Sequence, residues 1–466
     1  MHSSRKHTED IEGTSEIADA EVLSAMDCTM AKVFVSIAFK FDSLLNAAVV
    51  KAALDQTLKT YPALSGRYRK GSITDTIVHF SEGAEFVFVT AEEQEVHDYK
   101  SSADWTSTGA LFTPIMMSKP SKDEPLLRVR LTHFTSSKIS VLAVLVNHAV
   151  ADMSSMSTFM LAWSKNCKGS KYPNDMPPKP QPLNHRRKGF KFTKLELPAC
   201  IEDLKFGGIY EGFTPIDRFW FPQTLPRLIY RAMRYRNMHI GIPNDDVQKW
   251  KLRVNENKSE DEKVSGFELV QAMLFYATAM ATGICEKSVF AVINTRSRIT
   301  DEQQKLKHVN YFGNLVSGTR FQLKMAENGN NMEPFEVISK LASNFHAAMT
   351  SAKNKLDYFK YEFKAMNHLQ DEGFNSRLCW PAISDIAKDK GVLLNSWRFP
   401  LLDIDMGSGT RASQFIVPES FAMAGMAIIM PHTHDEQAVQ IVLRKDQAHR
   451  FLETIKTTDL PFYLVE

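Results

Sequence analysis

The chain has 466 residues, 44% of them hydrophobic and 24% charged, a globular composition whose length is too great for one ordinary core and favours two or three domains. Lys and Arg number 56 against 54 Asp and Glu, and the formal charge of +2 leaves no global field to recruit nucleic acid or an anionic membrane. Cys28, Cys167, Cys200, Cys285 and Cys379 are scattered without a C-x-x-C, which argues against a disulfide or zinc framework and for reduced, mostly buried thiols in a cytosolic protein.

Residues 1–18 are polar, lack the apolar core of a signal peptide and read as a disordered lead-in. A strand is expected over Lys32 to Phe41. A helix follows, with Asp42 or Ser43 as its N-cap, apolar steps at Leu45, Val49, Val50, Leu54, Leu58 and Tyr61, and a stop at Pro62. Further strands are expected at Ile77 to His79, Phe86 to Val89, Leu126 to Thr132 and Ile139 to Val146. Within the last of these, Val141 to Val146 is too short for a globular helix and rich in β-branched residues, so it reads as a strand buried on both faces. Met153, Met156, Phe159, Met160 and Trp163 then keep helical spacing.

From Lys165 to about Leu225 the prolines at 173, 177, 178, 180, 182 and 198 prevent regular structure and mark a crossover. Its basic run, His185 to Lys191, reads as a solvated linker with too few aromatics for a base-stacking platform. In the second half Ser265-x-x-Glu268 is a capping box that opens a helix carrying Phe267, Val270, Met273, Leu274 and Ala277. Strands are expected at Val289 to Ile293, Phe415 to Val417 and Val439 to Leu443. Helices and strands interleave in both halves, and every apolar run is far shorter than a bilayer requires. The expected division is a tail at 1–18, a first domain at 19–170, a crossover at 171–225 and a second domain at 226–466.

At the strand-to-helix turn stands His148-x-x-x-Asp152. A histidine delivered there sits at the edge of the core with a rigid element behind it, a good mount for a general base. Far along the chain lie Asn294-Thr-Arg296-Ser-Arg298, Asn310-Tyr-Phe-Gly-Asn314, Asn395-Ser-Trp397 and Asp405-Met-Gly407-Ser-Gly409. In this order and at these intervals the segments resemble the signatures of the BAHD family of acyl-CoA-dependent acyltransferases. Leu23 to Asp27, Tyr61 to Arg67, Ser265 to Ala272 and Ala424 to Pro431 extend the resemblance over nearly the whole chain. Two departures stand out: Met153 where relatives commonly have Gly, and Met406 and Ser408 in place of the Phe and Trp of the late motif.

The resemblance implies an α/β fold of two chloramphenicol-acetyltransferase-like domains, each a mixed open sheet with helices, joined by a long crossover loop. It implies a channel in which acyl-CoA, a co-substrate rather than a bound cofactor, meets a small-molecule acceptor at His148. It further implies, as the acceptor group, a hydroxyl on a small metabolite of secondary metabolism, with an amine as the near alternative. An unperturbed imidazole, with a pKa of about 6.5, is able to take the acceptor proton at pH 7 and return it to the CoA thiolate. A thioester is already activated, so no acyl-enzyme is required.

Asp152 either orients the imidazole, as in a hydrolase triad, or pairs structurally with Arg296 beside Asn314; the resemblance implies the second. Asp405, Gly407 and Gly409 form a turn that, by resemblance, shapes the CoA channel. Ser408 is no hydrolase nucleophile, because Met406 occupies the place of the required Gly. Ser265 offers a helix N-terminus to a CoA phosphate, with Lys263 and Arg298 as charge partners. His432-x-His434 reads as a polar loop rather than a metal site. A carrier-protein-dependent condensation-type relative would carry a double histidine, where Asn147 stands here; an inactive binding module of the same fold is the other alternative. The chain is expected to act in the cytosol as a monomer, with no nucleic acid, metal or membrane span.

Overall fold

A computed structural model of the chain describes residues 20–71, 75–78, 83–91, 120–169, 214–215, 234–297, 300–301, 306–307, 311–325, 332–353, 363–364, 366–368, 370–371, 378–379, 391–418 and 425–465. The expected lead-in over 1–18, the crossover apart from 214–215, and Cys200 and Arg298 lie outside the described residues.

In the first half the principal strands are β1 (Phe34–Phe41), β2 (Glu85–Ala91), β3 (Leu127–Phe134) and β4 (Ile139–Asn147), with helices α1 (Ala25–Met30), α2 (Ala47–Leu58) and α3 (Met153–Cys167). The second half supplies β5 (Tyr235–Pro243), β6 (Glu286–Asn294), β7 (Val316–Lys324), β8 (Gly391–Ser396), β9 (Gln414–Ile416), β10 (Met426–Pro431), β11 (Glu436–Arg444) and β12 (Tyr463–Leu464). Its helices are α4 (Asn244–Val254), α5 (Gly266–Thr282), α6 (Pro334–Lys353) and α7 (Lys445–Thr457). They build two open mixed sheets, in the orders β9-β1-β4-β3-β2 and β7-β6-β8-β10-β11-β5-β12. This is the α/β architecture expected from the sequence.

β4 lies inside the first sheet and is buried on both faces. Leu142, Val144 and Val146 pack toward α2 and α3, while Val141, Ala143 and Leu145 join Phe34 and Ala38 on the other side. That is the physical meaning of an apolar run without alternation. The apolar stripe of α3 is likewise buried, and Trp163 Nε1 donates to the Val50 carbonyl of α2 at 2.9 Å, tying the two helices together. The start of α2 differs from expectation. Its N-cap is Asn46, whose Oδ1 accepts from the N–H groups of Ala48 and Val49 at 3.0 and 3.2 Å. Asp42 and Ser43 stay outside because Ser140 of β4 claims their segment, donating to the Ser43 carbonyl at 2.8 Å and accepting from Leu45 N–H at 2.9 Å. The crossover also starts later than Lys165, since α3 runs to Cys167.

Helices α5, α6 and α7 cover one face of the second sheet. On its other face Ile428, Met430 and Ala438 share a core with Val35 and Ile37 of the first sheet. The two halves are further interlocked by β9, which leaves the second half to pair antiparallel with β1. Its Phe415 meets Phe39 edge-on at a ring-centre distance of 5.4 Å. His148, just past the end of β4, therefore stands beside the seam at which the two sheets meet.

Candidate functional site

β4 ends at Asn147, and this fully buried residue builds the turn that follows. Its Nδ2 donates to the Ala31 carbonyl at 3.0 Å and its Oδ1 accepts from Ala149 N–H at 3.0 Å. The next residue, His148, is clamped through its backbone: its N–H donates to the Val33 carbonyl at 2.7 Å, and its carbonyl accepts from Asn314 Nδ2 at 2.6 Å. The imidazole is half-buried, and its Nδ1 is enclosed with no hydrogen-bond partner. Main chain, rather than ring contacts, fixes where the imidazole stands.

Asp152 does not reach toward His148. It caps α3, accepting from Ser155 N–H at 2.9 Å, and takes a two-pronged ion pair from Arg296, with Nη1 and Nη2 at 2.7 and 2.9 Å from its oxygens. Leu315 N–H adds a fourth bond at 3.1 Å. Both oxygens are thereby saturated in a site only 2% exposed. Burial pushes this carboxyl up, but the adjoining guanidinium and the N–H groups of Ser155 and Leu315 outweigh it and hold Asp152 below the ordinary carboxylate range. Arg296 is equally committed, donating to the carbonyls of Tyr311 and Gly313 and to Ser155 Oγ. Ser155 Oγ also bonds the Gly313 peptide, so α3, the strand-end arginine and the Tyr311 to Asn314 turn form one unit.

Asn314 was expected beside the Asp152 pair and does something different. Its Nδ2 is shared between the His148 carbonyl and Asp27 Oδ1, the latter at 2.8 Å, so it links the His148 turn to α1. Asp27 itself closes a capping box with Ser24. Nothing in the sequence points to these contacts of Asp27, Asn147 and Ser155 beyond the Ser24-x-x-Asp27 pattern of a cap.

Asp405 stands at the opposite end of α3. The helix has 15 residues, so Asp405 is about 20 Å from Asp152 at the usual rise. Asp405 Oδ1 gathers the N–H groups of Gly407, Ser408 and Gly409 at 3.0, 3.1 and 3.2 Å, and its backbone exchanges two bonds with Ser164 Oγ. Gly407 and Gly409 take φ of 86° and 78°, which only glycine adopts without strain. Met406 is buried against Cys167, with sulfur atoms 3.7 Å apart, while Ser408 Oγ faces Thr410. The two departures from the late motif thus fall in a core slot and on a surface turn, at the far end of α3 from the histidine.

The capping box at α5 forms as expected: Ser265 Oγ accepts from Glu268 N–H and Glu268 Oε2 accepts from Ser265 N–H at 2.7 Å. The first-turn N–H groups of Gly266 and Phe267 have no acceptor within the helix. Lys263 turns aside to Glu260. Arg398 is the cation beside the helix start, since a methyl group at Gly266 would lie 3.8 Å from its Nη1. Position 398 belongs to the segment after Trp397, and only the fold shows that it returns to α5.

Two of the buried thiols are held in the protonated, unreactive form. Burial pushes Cys28 and Cys167 up to about 12, with Asp75 and Asp405 respectively adding to the effect. At the His432-x-His434 loop, His434 Nε2 lies 3.1 Å from the Ala412 carbonyl, and among the described residues no three His, Cys, Asp or Glu side chains gather as metal ligands would. Among those residues, no helix is long and apolar enough to cross a membrane.

A family model described as the transferase family matches residues 8–456. The chain is 24% identical to an acetyl-CoA-benzylalcohol acetyltransferase of Clarkia breweri over 151 residues, 31% of this chain and 34% of the relative. It is 30% identical over 148 residues to a pelargonidin 3-O-(6-caffeoylglucoside) 5-O-(6-O-malonylglucoside) 4'''-malonyltransferase of Salvia splendens, with the same coverage, 31% and 34%. A putrescine hydroxycinnamoyltransferase of Oryza sativa is 22% identical over 326 residues, 66% of this chain and 65% of that one. The first relatives are therefore matched over about a third of their length. Among solved structures, F. graminearum TRI101 complexed with coenzyme A and T-2 mycotoxin has a TM-score of 0.72 at 14% identity, covering 96% of this chain and all of the other. Vinorine synthase has 0.60 at 14% identity, covering 94% and 93%. These likenesses establish the shared fold.

Proposed function

Because the chain belongs to the transferase family of BAHD acyltransferases, matched over residues 8–456, we propose that it moves an acyl group from a CoA thioester to a hydroxyl of a small metabolite with His148 as general base. The imidazole takes the acceptor's proton as its oxygen bonds to the thioester carbonyl. The tetrahedral oxyanion then collapses, the carbon–sulfur bond breaks, and the proton passes from His148 to the leaving thiolate. Both substrates occupy the channel together and no side chain is acylated. The rice relative's name carries the amine putrescine, which keeps an amine acceptor as the near alternative.

The observation that carries this reading is the separation of His148 from Asp152. The histidine is presented by a clamped backbone while every oxygen site of the aspartate is engaged elsewhere, which supports a single base and not a triad. Asp152, Arg296 and Asn314 then hold the turn, and the Asp405 to Gly409 loop braces the far end of α3. In this reading a CoA phosphate meets the start of α5 through the N–H groups after Ser265, with Arg398 as the nearer cation and Lys263 taking a lesser part. The proposed walls of the channel are residues 19–170 and 226–466, joined by 171–225, in a monomer of the cytosol.

Incubation with acetyl-, malonyl- and hydroxycinnamoyl-CoA, each with benzyl alcohol, a sugar-bearing phenolic and putrescine, tests the assignment. Free thiol and product mass are followed. The proposal requires thiol release that depends on acceptor and on His148. Transfer solely from an acyl-carrier protein, or thiol release indifferent to His148→Ala, contradicts it.

A further inference from the structure

We propose that a cavity between α5 and the second sheet, distinct from the His148 site, binds a small molecule through a neutral primary amide or undissociated carboxylic acid group. The cavity measures about 60 Å³, is partly open, and is lined by Gln271, Leu274 and Phe275 of α5 against Val289, Leu394 and Ile441 of the sheet. Val289 lies early in β6 and Arg296 just past its end, so the cavity is roughly 20 Å from the catalytic turn at strand rise.

Gln271 identifies the occupant. It is 2% exposed, lines the cavity, and both its Nε2 and its Oε1 lack any hydrogen-bond partner. Most of its neighbours in the lining are hydrocarbon, Lys287 and Thr278 being the other polar side chains and the Thr278 hydroxyl donating to the carbonyls of Leu274 and Phe275; at that position on the helix stripe an apolar side chain would be the ordinary choice. A buried carboxamide left unpaired works against folding, and such groups are met by a protein, water or ligand partner. One edge of a carboxamide presents a donor and an acceptor side by side. The group that answers both at once is another primary amide or a protonated acid. Scaling from a cavity of about 150 Å³ that takes benzene, the enclosed space holds roughly two or three non-hydrogen atoms, the size of that head group. The remainder of the molecule, short and apolar, follows the open side.

The test is a titration of the full-length protein, by calorimetry or ligand-observed NMR, with butanamide and with 2-pentanone, in which a methyl replaces the NH₂. The wild type is expected to bind butanamide about 3- to 10-fold more tightly than the ketone, the effect of one or two hydrogen bonds. Gln271→Leu and Gln271→Met should abolish that preference and melt at higher temperature, because each removes an unpaired polar group. Equal affinity for the two compounds, no saturation with butanamide by about 100 mM, or a preference that survives in either folded variant overturns the proposal. A crystal soaked in butanamide that shows ordered water alone beside Gln271 overturns it as well.

Discussion

Replacing Asp152 with Ala removes four hydrogen bonds: two from Arg296 at 2.7 and 2.9 Å, the helix cap from Ser155 N–H at 2.9 Å and the bond from Leu315 N–H at 3.1 Å. Breaking a buried ion pair from one side costs about 3–5 kcal/mol, and loss of an N-cap alone about 1 kcal/mol. Arg296 keeps the carbonyls of Tyr311 and Gly313 and the hydroxyl of Ser155, so its charge is not wholly stranded. We expect about 4 kcal/mol in all, a large fraction of an ordinary folding free energy of about 5–15 kcal/mol. Urea melts followed by tryptophan fluorescence should show a lower midpoint at unchanged slope. Asp152→Ala/Arg296→Met should be less destabilised than the sum of the single variants. The pH dependence has a fixed sign. The folded carboxyl lies below its ordinary value of 3.8, so its contribution is complete above that pH and is lost as pH falls further, through the folded value. An Asp152→Ala protein with an unchanged midpoint but lost activity would contradict the structural role and return the aspartate to His148 as a triad partner.

His148→Ala should leave the unfolding free energy from urea melts within about 1 kcal/mol of wild type while turnover falls roughly 10²- to 10⁴-fold, as removal of a general base does; near-wild-type turnover in a folded variant rules the role out. His239 is held at about 4, chiefly by burial and further by His432, so below its ordinary 6.5 the unfolded chain binds the proton first. Stability should therefore decline by up to about 1.4 kcal/mol per pH unit between pH 6.5 and about 4, and His239→Gln should flatten that slope in melts across the range. Gly407→Ala should destabilise more than Gly409→Ala: both need positive φ, but a Cβ at 407 meets the Cys167 carbonyl at 3.0 Å, whereas one at 409 meets nothing within 4 Å. Thermal melts that rank the two the other way count against the packing of this loop on α3.

Much of the architecture was legible because its strongest signals are local. The unbroken apolar run of β4, the helical steps after Met153 and the Ser265 to Glu268 box each specify their own structure. β5, β7 and β8 were not anticipated, since residues such as Arg236, Asn237, Gln322 and Asn395 interrupt their apolar pattern. Partnership was hidden as well: Gln414–Ile416 has strand composition, but its pairing with β1 across some 370 residues is decided by tertiary packing. At the site, His148 and Asp152 came from their spacing at the end of a strand, and Arg296 from the family resemblance. Asp27, Asn147, Ser155 and Arg398 did not, because they act by holding backbone or by folding back onto a distant helix, and such roles leave no periodic mark.

The proposed reaction is direct transfer, with a base and no acyl-enzyme. Intact-mass measurement of the wild-type protein after incubation with a turnover-competent acyl-CoA, in the absence of acceptor, tests it most directly. Unmodified protein is expected, together with initial-rate plots that intersect when acyl-CoA and acceptor are varied, because both must be bound before the proton moves. A stoichiometric acyl adduct that discharges onto added acceptor, with parallel plots, would contradict the mechanism.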